Sequence, residues 1–140
     1  MHNQIKIYFT IISFFCVSTS VASSAPFTFE CTFPISVSKP IGDFSKNDLK
    51  ISTKQDFKYN ILVNGKEAFV IGDLGTEKLL LIQNEIGGYS FIEITPVKTL
   101  QITVVDKKLN AVHSRNTQLP DENGNFLLFP SQNYGSCKIK

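Results

Sequence analysis

The chain has 140 residues, 42% of them hydrophobic, 11% aromatic and 19% charged, with a formal net charge of +2. This length fits one domain, and the hydrophobic fraction excludes a disordered chain. The near-neutral balance gives no basic footprint for a nucleic acid, and 8 Gly with 6 Pro exclude a collagen-like repeat.

Residues 1–22 read as a signal peptide. His2 to Lys6 carries one lysine and no acid, and Ile7 to Val17 is almost wholly apolar or aromatic. That run is too short for a membrane span, which needs about 20 residues. Ser20 and Ala22 satisfy the small-x-small rule for cleavage after Ala22, with Ala25 as a second candidate. Residues 23–140 then form a single β domain with no further membrane span, located in the periplasm or secreted.

Cys16 leaves with the leader, so Cys31 and Cys137 remain. An even count in an exported chain reads as a disulfide, here enclosing nearly the whole domain. Two Cys and one His do not complete a structural zinc set.

The mature chain alternates with period 2 almost throughout. Phe27, Phe29, Cys31 and Phe33 share one face of a first strand, which Pro34 is expected to end. Residues 35–46, with Pro40 and Gly42, read as a loop or short helix. Strands follow over 49–53 and 57–63. Asn64-Gly65 predicts a type I′ hairpin into 67–71. After a turn at 72–75 come strands over 78–83, closed by Gly87-Gly88, and 89–95, stopped by Pro96. Leu100, Ile102 and Val104 share one face of the next strand, 100–105. A polar turn at 106–110 leads into 109–117, and a loop at 120–124 into an apolar run, 126–129, that Pro130 breaks. The last strand, 134–139, carries Cys137.

Eight to ten short strands with turns every 8–12 residues predict an all-β fold. Short connections favour an antiparallel meander. A bond between first and last strands favours closure into a small β-barrel of about eight strands, since closure removes both sheet edges. A two-sheet β-sandwich is the alternative.

The chemistry consists mostly of exclusions. The sequence contains no H-E-x-x-H, C-x-x-C, EF-hand loop, G-x-G-x-x-G, P-loop or G-x-S-x-G. No metal, cofactor or catalytic residue is assigned, and nucleic acid is not a partner. After the leader the chain holds one histidine, His113, and one arginine, Arg115. On a strand these two share a face while Ser114 points away with Val112, so His113 and Ser114 cannot form a nucleophile–base pair. Glu93 is the one acid embedded in an apolar strand. It reads first as an outward-facing residue, and alternatively as a partly buried partner of Arg115. The tail gathers Ala111-Val112-His113-Ser114-Arg115 and Pro130-Ser131-Gln132-Asn133-Tyr134-Gly135-Ser136-Cys137. His113, Arg115, Gln132, Tyr134 and Glu93 are therefore the candidate binding residues. Loop backbone satisfied by Ser131, Gln132 and Asn133, with Tyr134 bonded to a carbonyl, is the structural alternative.

These two tail segments, with the aromatic-x-aromatic-x-Cys start at Phe27-Thr28-Phe29-Glu30-Cys31 and the Phe91-Ile92-Glu93-Ile94-Thr95 strand, resemble a family of small exported bacterial proteins to which no activity is assigned. The architecture is also similar to that of the membrane-bound-type inhibitors of c-type lysozyme, small exported barrels with an early and a late bridging Cys. The shortage of catalytic residue types in a compact, disulfide-closed domain points to non-enzymatic binding in the envelope, either of a protein such as a lysozyme or of a small molecule inside the barrel. The rival is a hydrolase using His113 as general base, with Arg115 or Tyr134 stabilising negative charge.

Overall fold

A computed structural model describes residues 25–39, 49–53, 57–73, 75–96, 98–120 and 122–140. The predicted leader and the Ala22 cleavage site lie outside these residues, as does most of the loop expected over 35–46.

The nine described strands are β1 (Phe27–Ser38), β2 (Lys50–Ser52), β3 (Phe57–Asn64), β4 (Glu67–Gly72), β5 (Gly75–Gln83), β6 (Tyr89–Ile94), β7 (Leu100–Val105), β8 (Asn110–Pro120) and β9 (Phe126–Ile139). Each of β3 to β8 pairs antiparallel with its successor, and β9 pairs with β1. The result is a closed eight-stranded antiparallel barrel plus β2, which selects the barrel over the sandwich. β2 and β3 line the same edge of β1, pairing with Ser36–Ser38 and Phe27–Phe33 respectively.

Cys31 and Cys137 are direct partners in the closing β1–β9 register and form the predicted disulfide across 106 residues. The amide of Cys137 is bonded to Leu109 O on its other side, so the bridge occupies a non-hydrogen-bonded pair, where side chains lie closest.

Two prolines do not stop their strands. Pro34 lies inside β1, where the β1–β9 register shifts between Thr32 and Ile35. The bulge places Phe33 and Pro34 opposite Gly135 alone, and a bulge tolerates a residue without an N–H. It also brings the chains so close that a Cβ on Gly135 would sit 1.9 Å from Thr32 O. Pro130 likewise lies inside β9, which is one continuous strand, and its carbonyl accepts from Lys39 N. At the β3–β4 hairpin Asn64 pairs with Glu67, so Gly65 and Lys66 are the central residues. Only Gly65 has positive φ (61°), the signature of a type II′ turn rather than the expected type I′.

The interior is filled by side chains that meet across the barrel axis. At one end Phe29 of β1 packs on Tyr89 and Phe91 of β6, with ring centroids 5.2 and 5.7 Å apart. Ile61, Val63, Ala68, Leu79, Val105 and Ala111 complete this apolar half. Leu109 closes it from the β7–β8 turn in a left-handed conformation (φ 66°), in which its side chain packs against the core. Eight strands enclose a space that side chains just fill, and fully buried Phe29, Phe33, Phe91 and Ile61 do so here.

Candidate functional site

The other end of the barrel is polar, and register explains why. Alternation from Phe91, Val105 and Ala111, all buried, turns Glu93, Gln101, Thr103, His113 and Arg115 inward. Cross-strand pairing stacks these in levels. Phe91, Thr103, His113 and Asn133 form one level across β6–β9; Glu93, Gln101, Arg115 and Ser131 form the next, nearer the mouth.

His113 is 0% exposed, with its ring 5.8 Å from Phe33, 5.2 Å from Phe57 and 4.9 Å from Tyr59 between centroids. Both ring nitrogens are engaged: Nδ1 lies 2.8 Å from Thr103 Oγ1 and Nε2 3.1 Å from Gln101 Oε1. The tautomer follows from Arg115, whose Nε–H also donates to Gln101 Oε1 at 3.2 Å. An arginine only donates, so the Gln101 atom is the oxygen and Nε2 must carry the proton. Nδ1 then accepts from the Thr103 hydroxyl, and the ring is neutral. Burial, followed by the positive charge of Arg115, pushes the His113 pKa down to about 4.

Arg115 lies half-buried, with its guanidinium carbon 4.9 Å from the centre of the Phe57 ring. Glu93 faces inward, overturning its outward-facing expectation, because β6 continues the alternation of Tyr89 and Phe91. Its partner is Tyr59, whose phenol donates to Oε2 at 2.5 Å; Gln101 separates it from Arg115 in strand order. Burial first, then the bond to Glu93, raises the Tyr59 pKa and keeps the phenol protonated. A cavity of about 200 Å³ lies against Glu93 and Glu77 at this end.

The candidate residues therefore divide. His113, Arg115 and Glu93 converge at the polar end, whereas Gln132 and Tyr134 point outward from β9, because buried Asn133 and Cys137 set its inward face. The Tyr134 hydroxyl donates to Gln132 Oε1, not to a backbone carbonyl. Ser114 also points outward, opposite Ile102 and Gln132, away from His113.

Tyr59, Gln101, Thr103 and Phe57 complete the network, and sequence reading did not single them out. The available signal was Gln101 and Thr103 alternating with Leu100, Ile102 and Val104, but alternation alone does not say which face is interior.

The outside of β6–β9 is the complement of this polar interior. Across the strands Leu80, Ile92 and Ile102 form one outward row, while Ile82, Val104, Val112 and Tyr134 fall in another; Ile94 pairs with Leu100. The opposite wall is polar. Glu30, Lys58 and Lys138 lie with Asn60 around an outer hollow of about 510 Å³ behind Cys31, and Lys140 bonds Glu30 at 2.8 Å.

Among the described residues no group of three or more His, Cys, Asp or Glu gathers as a metal set, and no helix is long and apolar enough to cross a membrane. No protein-family model, curated protein or solved structure matches the chain.

Proposed function

We propose that the chain is an exported, non-enzymatic binding protein of the bacterial envelope that engages a protein partner at the polar mouth of its barrel. The leader pattern and the Cys31–Cys137 bond support export. One observation carries the binding site: Glu93 and Arg115, the charged side chains within β6–β8, are turned into the mouth and held there, by Tyr59 and by Gln101 with Phe57. Such tethering removes the entropy cost of ordering long side chains on binding. A carboxylate and a guanidinium at one mouth fit a partner segment that presents both a basic and an acidic group. The likeness to lysozyme inhibitors belongs to the same reading, a small disulfide-closed barrel acting on a protein.

His113 supports the non-enzymatic reading. It is fully buried, both nitrogens are occupied, and its low basicity suits a structural imidazole better than a general base at neutral pH. A small ligand inside the barrel is disfavoured because side chains already meet across the axis.

The test places a photo-crosslinking residue at Ser131, in the mouth level, and separately at Lys138 on the outer wall, in cells producing the exported chain. A discrete adduct from position 131 that is lost with Arg115→Gln and Glu93→Gln supports the proposal. Adducts from both positions alike, or adducts indifferent to those substitutions, refute it.

A further inference from the structure

A consequence of turning Glu93 and Arg115 inward is that the outward positions of β6, β7 and β8, and those of β9 from Phe126 to Ser136, carry no charged side chain. We infer that this wall is the interface of a twofold-symmetric homodimer, covered by the same wall of a second copy of the chain. This inference concerns a surface separate from the mouth and does not depend on the mouth's function.

Large apolar side chains stand exposed on and beside this wall: Leu80 at 60%, Ile94 at 68%, Leu100 at 44% and Val104 at 42%. Large apolar side chains exposed together on one uncharged wall mark an interaction site. Charge selects the occupant. The opposite side of the barrel carries Glu30, Lys58 and Lys138, and the adjoining β4–β5 edge carries the Lys78–Glu67 ion pair at 2.7 Å. Docking the apolar wall onto those groups would strip their water and offer no polar contact in its place. Among the described surfaces of the molecule, the one that matches the wall in polarity is the wall itself. A twofold contact of identical patches is the commonest closed assembly.

The β8–β9 ribbon adds a second argument. From Asn116 paired with Pro130 to Pro120 paired with Phe126, it continues, among the described residues, past the last pairing of β7 with β8, at Arg115. Phe126 is 72% and Leu128 40% exposed on its outward face, which continues the uncharged wall. A two-stranded ribbon alone is marginal in water and needs a further apolar layer. A facing copy supplies that layer and extends the contact beyond what two convex barrel walls reach. A lipid surface fits less well. β6 and β7 have six residues each, about 20 Å of strand, and the charged opposite side prevents insertion as a complete barrel.

The test is sedimentation equilibrium of the exported, oxidised chain at micromolar to ~100 μM concentration, with far-UV circular dichroism confirming the fold of each variant. The expected result is a dimer for the unaltered chain, with a tenfold or greater weakening in both Ile94→Lys and Leu80→Glu and none in Lys138→Glu. Glu93→Gln should leave the mass unchanged, separating this interface from the mouth. A monomer throughout the range overturns the inference, as does a dimer insensitive to both wall substitutions. A monomer that floats with phosphatidylcholine vesicles overturns it in favour of lipid.

Discussion

Acid should destabilise this barrel through one buried ring. His113 is neutral in the fold, with its pKa pushed down to about 4, whereas in the unfolded chain it titrates near 6.5. Between those values the unfolded chain binds a proton that the folded chain refuses, so stability rises with pH across the window. The contribution is complete above about pH 6.5 and is lost as pH falls toward 4. A displacement of about 2.5 units at 1.36 kcal/mol each gives roughly 3 kcal/mol in total, of which about 2 kcal/mol is gone by pH 5. Protonation would place a second positive charge beside Arg115 and oblige the Thr103 hydroxyl to turn from donor to acceptor, while Glu93, the carboxylate of this network, is engaged by Tyr59. The assay is urea unfolding of the wild type and His113→Gln at pH 7.5, 6.5, 5.5 and 5.0. Carboxylates titrate in both proteins, so the difference between the two stability curves isolates the imidazole. That difference should shrink by about 2 kcal/mol from pH 7.5 to 5.0 as the wild type loses its advantage. A difference curve flat over this range would refute the neutral, buried assignment.

Three further outcomes follow from the backbone. Gly135→Ala should cost about 3 kcal/mol or more in urea unfolding, because its Cβ would meet Thr32 O at 1.9 Å and the bulge backbone would have to move; a cost below 1 kcal/mol would place the β1–β9 contact elsewhere. Replacing Cys31 and Cys137 together by Ala should lower stability by about 3–5 kcal/mol, since the bond closes a loop spanning 106 residues; an unchanged urea midpoint would show the bond to be dispensable. Lys98→Gly should raise the melting temperature, gaining up to about 1 kcal/mol by relieving a left-handed residue (φ 62°), whereas Leu109→Gly should lower it despite the similar φ (66°), because Leu109 also packs on the core; equal signs at the two sites would contradict this account.

The sequence made strand positions and closure readable because both rest on local or unique signals. Period-2 alternation locates Phe27–Phe33 and Leu100–Val105 without tertiary information, and the two cysteines that follow the predicted leader allow a single pairing. The prolines misled because their effect depends on what faces them. Pro34 sits in a bulge and Pro130 stays within a continuous strand, and neither neighbour is visible in a local window. Gly135 shows the same limit: it stands within the tail pattern, yet only the closing register shows that it must lack a side chain.

The site was half legible for a deeper reason. Alternation fixes which residues share a face, not which face is inside. In β7 the apolar set Leu100, Ile102 and Val104 faces out, and Gln101, Thr103 and Val105 face in. Local hydrophobicity would favour the opposite arrangement, and a one-residue slip would deliver it. The register is held instead by pairing to β8, where Ala111 and His113 are buried, and by Gln101 Oε1 accepting from both His113 and Arg115. Slipping β7 would turn Leu100, Ile102 and Val104 inward and Val105 outward, but it would also take the Gln101 acceptor away from the fully buried His113 imidazole and from the half-buried Arg115 guanidinium, and it would break the cross-strand pairing that sets those side chains in levels. The polar interior and the uncharged exterior are thus two results of one choice of register. A variant that removes the interior demand, Gln101→Leu with His113→Leu and Arg115→Leu, should weaken that hold on β7. Slower exchange of the β7 amides in this triple variant than in the wild type would show that the network does not set the register.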